Sequence, residues 1–335
     1  MTTSRQKPIA LTGIKASGTP HLGNYLGAIL PAKQLAESHE LYVFIADYHG
    51  ITSAVSADEL RQSILEISAT WLACGIDPEK VVFYRQSDIP EIFELNWALS
   101  CMAPKGLLNR AHAYKAKRDQ NVEENRDPDY HISLGLFAYP VLMAADILAF
   151  QANDVPVGPD QKQHVEIARD IANTSNKQYK QEIFTLPTPQ IQAKSILGTD
   201  GRKMSKSYKN TLPLFAEEKK LRKAVMKIQT DSKDVDEVKD PTTCTVFQLY
   251  KEFASADAIA ELEAEYLAPG MGYGHAKQKL FDAILEHVGP YQEKYNALIS
   301  KPDEIQAHLD AGAKKARAAA RDTLDNLRSA IGLAG

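Results

Sequence analysis

The stretch that most restricts how this 335-residue chain can fold runs from Pro8 to Leu30. Pro8-Ile9-Ala10-Leu11-Thr12 is a short apolar run suited to a strand, and it enters Gly13-Ile14-Lys15-Ala16-Ser17-Gly18, a turn of glycines and small residues. Thr19-Pro20-His21-Leu22-Gly23-Asn24 follows, with Leu22, Tyr25, Leu26 and Ile29 spaced along one helical face. Strand, Gly-rich turn and helix start together make an anion site, because free backbone N–H groups and the helix dipole converge there. Turns of this kind occur in many α/β proteins, so the pattern speaks for a fold class before a function. His21 sharpens it: an imidazole there can donate to a phosphate oxygen, and Gly23 leaves room for a flat ring against the backbone.

The same alternation continues downstream. Leu41 to Ala46 reads as a central parallel strand ending in Asp47-Tyr48-His49-Gly50, polar groups where open α/β sheets place ligands. Ser56-Ala57-Asp58-Glu59 is a capping box opening a helix that runs to Gly75. Val81 to Tyr84 is the next strand, followed by Arg85-Gln86-Ser87-Asp88. The first third is therefore β-α-β-α-β, half of a doubly wound sheet. From Pro90 to Pro189 the pattern is mostly helical, with a basic run Ala111 to Arg118 and a polar stretch Asp119 to His131 that reads as a mobile loop. Leu134 to Phe150 is apolar nearly all round and hence a buried helix; Asp154-Val155-Pro156-Val157 is a short strand, and a helix is expected from Gln161 through Ile171. Beyond Asn210 only helical patterns remain, at Glu217–Gln229, Cys244–Phe253, Asp257–Leu267, His275–Ile299 and from Lys301 onward.

Composition mainly excludes. The net charge of −4 gives no bulk attraction to nucleic acid, so any such contact must be a local patch such as Lys219, Lys220, Arg222, Lys223 and Lys227. No run approaches the ~20 apolar residues of a membrane span. The first seven residues lack the apolar core of a signal peptide, and Cys74, Cys101 and Cys244 lie too far apart for a zinc knuckle or disulfide framework. A cytoplasmic protein without membrane contact is expected.

Chemistry concentrates in two places. Lys203-Met204-Ser205-Lys206-Ser207 sets two lysines, separated by two residues, on a Gly/Ser loop that can fold over a triphosphate and neutralise charge moving onto pyrophosphate. A solvated charge run is the plain alternative. Asp146 is the one ionisable group of the apolar helix, and a buried carboxylate needs a donor. An indole N–H, which can only donate, would serve; so would an internal Arg or Tyr. Met143, one turn earlier, can pack a ring with its sulfur, and Val155 and Val157 alternate onto one wall.

The pair Pro20-His21-Leu22-Gly23-Asn24 and Lys203-Met204-Ser205-Lys206-Ser207 resembles the two class I aminoacyl-tRNA synthetase signatures, in the right order on a β-α-β chain. Tyr139 to Leu148, Val155 to His164, Asn24 to Ala28 and Tyr266…Gly270-Met271-Gly272-Tyr273-Gly274 are similar to bacterial-type tryptophanyl-tRNA synthetases, over about residues 8 to 333. The resemblance implies a Rossmann-type doubly wound parallel sheet in residues 1–209, with a helical insertion at about 90–190, and an all-helical anticodon-binding domain in 210–335.

It further implies ATP with Mg2+ on its phosphates, L-tryptophan and tRNA(Trp) as partners, a homodimer, and no dedicated metal site. The catalytic group would be His21, Lys203 and Lys206, with Lys115 and Lys117 from a loop that closes on the phosphates. ATP would meet Lys15, Ala16, Ser17, Gly23, Asn24, Gly158, Pro159, Asp160, Ile196 and the loop Lys203, Met204, Ser205, Lys206 and Ser207. Asp146 would read the indole nitrogen, Met143, Val155 and Val157 would wall the ring, Tyr139 and Gln161 would hold the α-amino end, and His49 would sit near the ring or carboxylate. One departure stands out: the common bacterial form has Gln-Pro after the first Gly-Ile, whereas this chain has Lys15-Ala16. A tyrosine-specific synthetase, a plain nucleotidyltransferase and a non-catalytic tRNA-binding paralogue are the rival readings.

Overall fold

The computed structural model describes residues 7–53, 56–191 and 195–333. Five parallel strands form one sheet in the order β3-β2-β1-β4-β5: β1 Ile9–Lys15, β2 Glu40–Ala46, β3 Val82–Arg85, β4 Asp154–Val157 and β5 Thr188–Ile191. The chain winds outward through β2 and β3, then returns to the other side of β1. Strand order therefore reverses between β1 and β4, and the crevice beyond the carboxyl ends of those strands is where such sheets bind ligands.

β1 continues through Gly13 to Lys15, where a turn is expected, because Gly13 lies under the Phe44 ring. A Cβ on Gly13 would sit 2.5 Å from that ring, so the glycine serves close packing inside a strand. The helix after the turn, α1, runs in three consecutive segments: Leu22–Asn24, the π-type Tyr25–Ile29 and Leu30–Ser38. Leu22, Tyr25, Leu26 and Ile29 all face the core, as their spacing requires. After β2 a short helix α2 spans Asp47–Ile51, and α3 spans Ala57–Ala73. Ser56 and Glu59 close the capping box that opens α3, at 3.2 and 2.8 Å.

The insertion holds α4 Pro90–Met102, α5 Lys105–Leu108, α6 His112–Glu123, α7 Leu134–Leu148 and α8 Lys162–Tyr179. Several expectations are corrected here. Asp119 to Glu123 is helical, not loop, as the last turn of α6; Asn121 is buried there and donates to the carbonyls of Pro128 and Tyr130. The start of α7 is open to solvent, with Leu134 79% exposed, and burial begins only at Pro140. α8 also runs eight residues past Ile171, to Tyr179, and β5 lies in a stretch read as helical.

Past the lysine loop come α9 Glu218–Met226, α10 Thr245–Tyr250, α11 Ala256–Tyr266, α12 Tyr273–Ile299 and α13 Pro302–Ile331, close to the five expected helices. They share a core with the sheet. The apolar cluster on one face runs from Val43, Ile67 and Trp71 into Leu221, Val246, Leu280 and Phe281, across residue 210. α13 then returns to cover the β3 edge, where Gly312 lies so close that a Cβ would fall 1.7 Å from the Phe83 carbonyl oxygen. Arg317 and Arg321 clamp the buried Glu91 of α4 at 3.1 and 2.7 Å, and Arg328 pairs with Glu94 at 2.6 Å.

Candidate active site

A cavity of about 460 Å³ opens at the strand crossover, lined by Gly13 and Lys15 of β1, Phe44 and Ala46 of β2, Val155, Pro156 and Val157 of β4, and by His49, Tyr139, Met143, Asp146, Gly158 and Gln161. All seven residues expected to hold the amino acid line this one space. The alternation of β4 points Val155 and Val157 inward, and both are buried.

Asp146 is fully buried and already has partners. His49 Nε2 lies 2.9 Å from Oδ2, and Gln86 Nε2 donates to Oδ1 and Oδ2 at 2.8 and 3.0 Å. The Tyr48 amide donates to Gln86 Oε1 at 3.1 Å, which fixes the carboxamide so that its NH2 end faces Asp146. Burial pushes the Asp146 carboxyl above its usual range; the bonds from His49 and Gln86 pull against that. An ionised carboxylate has about four acceptor positions, and three are used. One, on Oδ1, is left unused by these partners, in a residue that lines the cavity. Among the described residues neither an Arg nor a Tyr bonds to this carboxylate. Gln86 was not singled out in the sequence; its position after the third strand, at the carboxyl end of the sheet, was the available signal.

Beside this cavity lies the β1–α1 turn with the lysine loop folded over it. The chain after the loop runs antiparallel to the turn, with the Leu22 amide donating to the Leu212 carbonyl at 2.9 Å, and this brings the two signature motifs together. Lys206 Nζ donates to the carbonyl oxygens of Ser17 and Gly18, the latter at 2.7 Å. Lys203 Nζ reaches Asp160 Oδ1 at 2.5 Å, just before α8. The loop is braced from beneath by buried Asn210, which accepts from the Ser205 amide at 2.8 Å and donates to Asp200 Oδ1 at 2.7 Å and the Lys203 carbonyl at 3.0 Å.

The electrostatics suit an incoming polyanion. Burial lowers Lys206 to about 8. Burial, then the nearby Lys206, holds His21 down to about 4, so its imidazole is neutral at physiological pH, and its buried Nδ1 has no hydrogen-bond partner among the described residues. Burial pushes Asp160 up, but hydrogen bonds from Lys203 and Gln161 outweigh it and hold the carboxyl below its usual range.

The model of the class I tRNA synthetases (W and Y) matches residues 3–289. The chain belongs to that family. The tryptophan–tRNA ligase of Neisseria meningitidis is 48% identical over 332 residues, 98% of each chain. That of Xanthomonas axonopodis is 51% identical over 328 residues, 96% of this chain and 76% of its own length. Among solved structures, the tryptophanyl-tRNA synthetase of Campylobacter jejuni complexed with ADP and tryptophan shares 44% identity, covers 97% of this chain and 100% of its own, and superposes with a TM-score of 0.86.

In this class I synthetase the remaining expected residues fall as follows. Ala16 is buried behind the turn and Ser17 faces Lys206. Asn24 accepts from the His21 amide at 3.1 Å, tying the start of α1. The flat ring lying on Gly23 is the protein's own His21 imidazole, with Met204 sulfur 3.2 Å from the Gly23 amide. Gly158 leaves room for Asp160, whose Oδ1 would lie 2.8 Å from a Cβ. Pro159 begins a single 3₁₀ turn that delivers Asp160 and Gln161. Ile196 is buried against the loop, its carbonyl accepting from the Met204 amide at 2.7 Å. Ser207 lies in the turn Lys206–Tyr208. Lys115 and Lys117 stand on helix α6 rather than on a loop, with Lys117 bonded to Gln120 at 3.2 Å. Among the described residues no group of three His, Cys, Asp or Glu side chains is set to hold a metal ion.

Proposed function

We propose that this synthetase is a tryptophan–tRNA ligase that works by the residues assembled above. The tryptophan carboxylate oxygen attacks the α-phosphorus of ATP; the bond to the bridging oxygen breaks, pyrophosphate leaves, and tryptophanyl-adenylate remains. A ribose hydroxyl at the 3′ end of tRNA(Trp) then attacks the acyl carbon and releases AMP. The observation that carries the amino-acid assignment is the last acceptor position of buried Asp146 at an otherwise largely apolar cavity.

The residues divide between the two substrates. Asp146 takes the indole N–H, Met143, Val155 and Val157 wall the ring, His49 orients Asp146, and Tyr139 and Gln161 hold the ammonium group. On the ATP side, the side chains of His21 and Asn24 meet the phosphates at the start of α1; the amides of Ala16, Ser17 and Gly23, expected to be free, are bonded to the Ala46 and Lys15 carbonyls and the Met204 sulfur, so these residues shape the turn rather than donate to phosphate. Gly158, Pro159 and Asp160 take the ribose and base, with Ile196 behind. Lys203 and Lys206, with Met204, Ser205 and Ser207 shaping their loop, neutralise the pyrophosphate as it leaves. Binding and placed charge supply the rate, so no general base is assigned. Mg2+ would arrive with the ATP phosphates and screen their charge. Lys115 and Lys117 stand one helix away and would assist through α6.

Residues 210–335 form the anticodon-binding region, with the basic face of α9 toward RNA phosphates. Its helices share a core with the sheet, a route by which tRNA engagement bears on the site. We infer a homodimer as well, as the family resemblance implies. No helix among the described residues is long and apolar enough to cross a membrane. The test is ATP–pyrophosphate exchange with each amino acid in turn. Exchange with tryptophan alone is expected; exchange with tyrosine, or with none, overturns the reading.

A further inference from the structure

The segment that follows β2 bonds to both Asp146 and Lys15, which line the cavity. His49 of α2 meets Asp146 Oδ2 at 2.9 Å. Three and four residues on, Thr52 Oγ1 and Ser53 Oγ accept from Lys15 Nζ at 2.9 and 2.8 Å. The direction of the first bond is fixed, since the Thr52 hydroxyl spends its own proton on the His49 carbonyl at 2.8 Å. Lys15 stands at the carboxyl end of β1, in register with Ala46 at the end of β2, so the strand pairing delivers it to this turn.

An ammonium has three donors, and two of those on Lys15 are taken by neutral hydroxyls. Among the described residues no carboxylate lies within ion-pair distance of its Nζ, unlike Lys203, which has Asp160. Among the described residues lining the cavity, Lys15 is the only lysine or arginine and Asp146 the only carboxylate. A zwitterion entering this space therefore meets one anion and one cation, both held by the same short segment. The two hydroxyls cost Lys15 its freedom without neutralising it, which is what an anion-binding group needs.

We propose that Lys15 anchors the α-carboxylate of the amino acid, with Thr52 and Ser53 as positioning residues, so that the segment Asp47–Ser53 sets the spacing between the ring-reading carboxylate and the carboxylate-reading ammonium. The proposal rests on the tryptophan reading above and assigns the residue that replaces the usual Gln.

The test compares calorimetric binding of L-tryptophan and of tryptamine, which keeps the ring and ammonium but lacks the carboxylate, to the full chain without ATP. In Lys15→Met, tryptophan should weaken roughly tenfold or more, the loss of one charge-assisted hydrogen bond, while tryptamine stays within about twofold. The double variant Thr52→Val with Ser53→Ala should weaken tryptophan in the same selective way, and Thr52→Ser, which keeps the hydroxyl, should restore it. Unchanged tryptophan binding in Lys15→Met, or an equal loss for tryptamine, overturns the assignment. Wild-type protein that binds tryptamine but no tryptophan overturns it too, and protein that binds neither removes the parent reading along with it.

Discussion

Replacing Lys206 by Ala should slow adenylate formation by about 10²–10³ while leaving tryptophan binding near normal. The magnitude follows from what the side chain faces. Its Nζ is held over the β1–α1 turn by the neutral carbonyls of Ser17 and Gly18, at the place where phosphate oxygens would be bound. Exchanging neutral acceptors for oxygens that gain charge as pyrophosphate leaves makes the interaction stronger in the transition state than before it. Removing one such placed donor costs about 2.7–4 kcal/mol, hence the two to three decades. Tryptophan binding should be spared because Lys206 does not line the amino-acid cavity. Lys206 is lowered to about 8 by burial, so the protonated form is lost as pH rises through that value. In kcat/KM for ATP, wild type should fall over that range, whereas Lys206→Arg, which stays charged, should not. Rapid-quench measurement of single-turnover adenylate formation at saturating ATP is the assay. An unchanged rate in Lys206→Ala would refute the reasoning.

Two further outcomes are expected. His21 is held down to about 4 and so stays neutral, meaning that the pH profile of pyrophosphate exchange should show no inflection from its titration between about pH 5 and 8; His21→Asn, which keeps a donor, should retain more exchange activity than His21→Leu. Gly312→Ala should destabilise the protein by about 3 kcal/mol or more, visible as a lowered midpoint in thermal or urea unfolding, since its Cβ would fall 1.7 Å from the Phe83 carbonyl oxygen and backbone would have to move; an unaltered midpoint would mean α13 does not seat on β3.

The parts of the fold written in local chemistry were legible: the capping box at Ser56, the apolar strand at Leu41 to Ala46, the strand Asp154–Val157, and the helical periodicity after Asn210. What escaped depends on distant partners. Gly13 looks like a turn residue until the Phe44 ring is placed over it. β5, with Pro189 and mostly exposed residues, carries no apolar alternation, because an edge strand needs little burial and tolerates proline. Asp119 to Glu123 is polar enough to read as loop, yet buried Asn121 secures that turn by reaching Pro128 and Tyr130. At the site, the sequence led to every residue expected around the amino acid, because each lies near a strand end or on the apolar helix. It did not lead to Gln86, whose part is to hold Asp146 rather than to face the cavity. Nor did it reveal that His21 would occupy the space above Gly23, with the Met204 sulfur of the lysine loop against the same glycine.

Asp146 is where the account is most exposed to test. An apolar slot alone discriminates by ~1–3 kcal/mol, or roughly 10–200-fold, per methylene. A buried carboxylate with one open acceptor position does better, because a ligand without the matching N–H leaves it unsatisfied. The measurement is kcat/KM by pyrophosphate exchange for tryptophan and for its analogue with sulfur in place of the ring nitrogen, in wild type and Asp146→Ala. The selectivity for tryptophan should shrink in the variant by about 10- to 150-fold, the worth of a hydrogen bond to a charged group at 1.5–3 kcal/mol. Equal losses for the two substrates would make Asp146 a structural residue and contradict the account of how this synthetase recognises its amino acid.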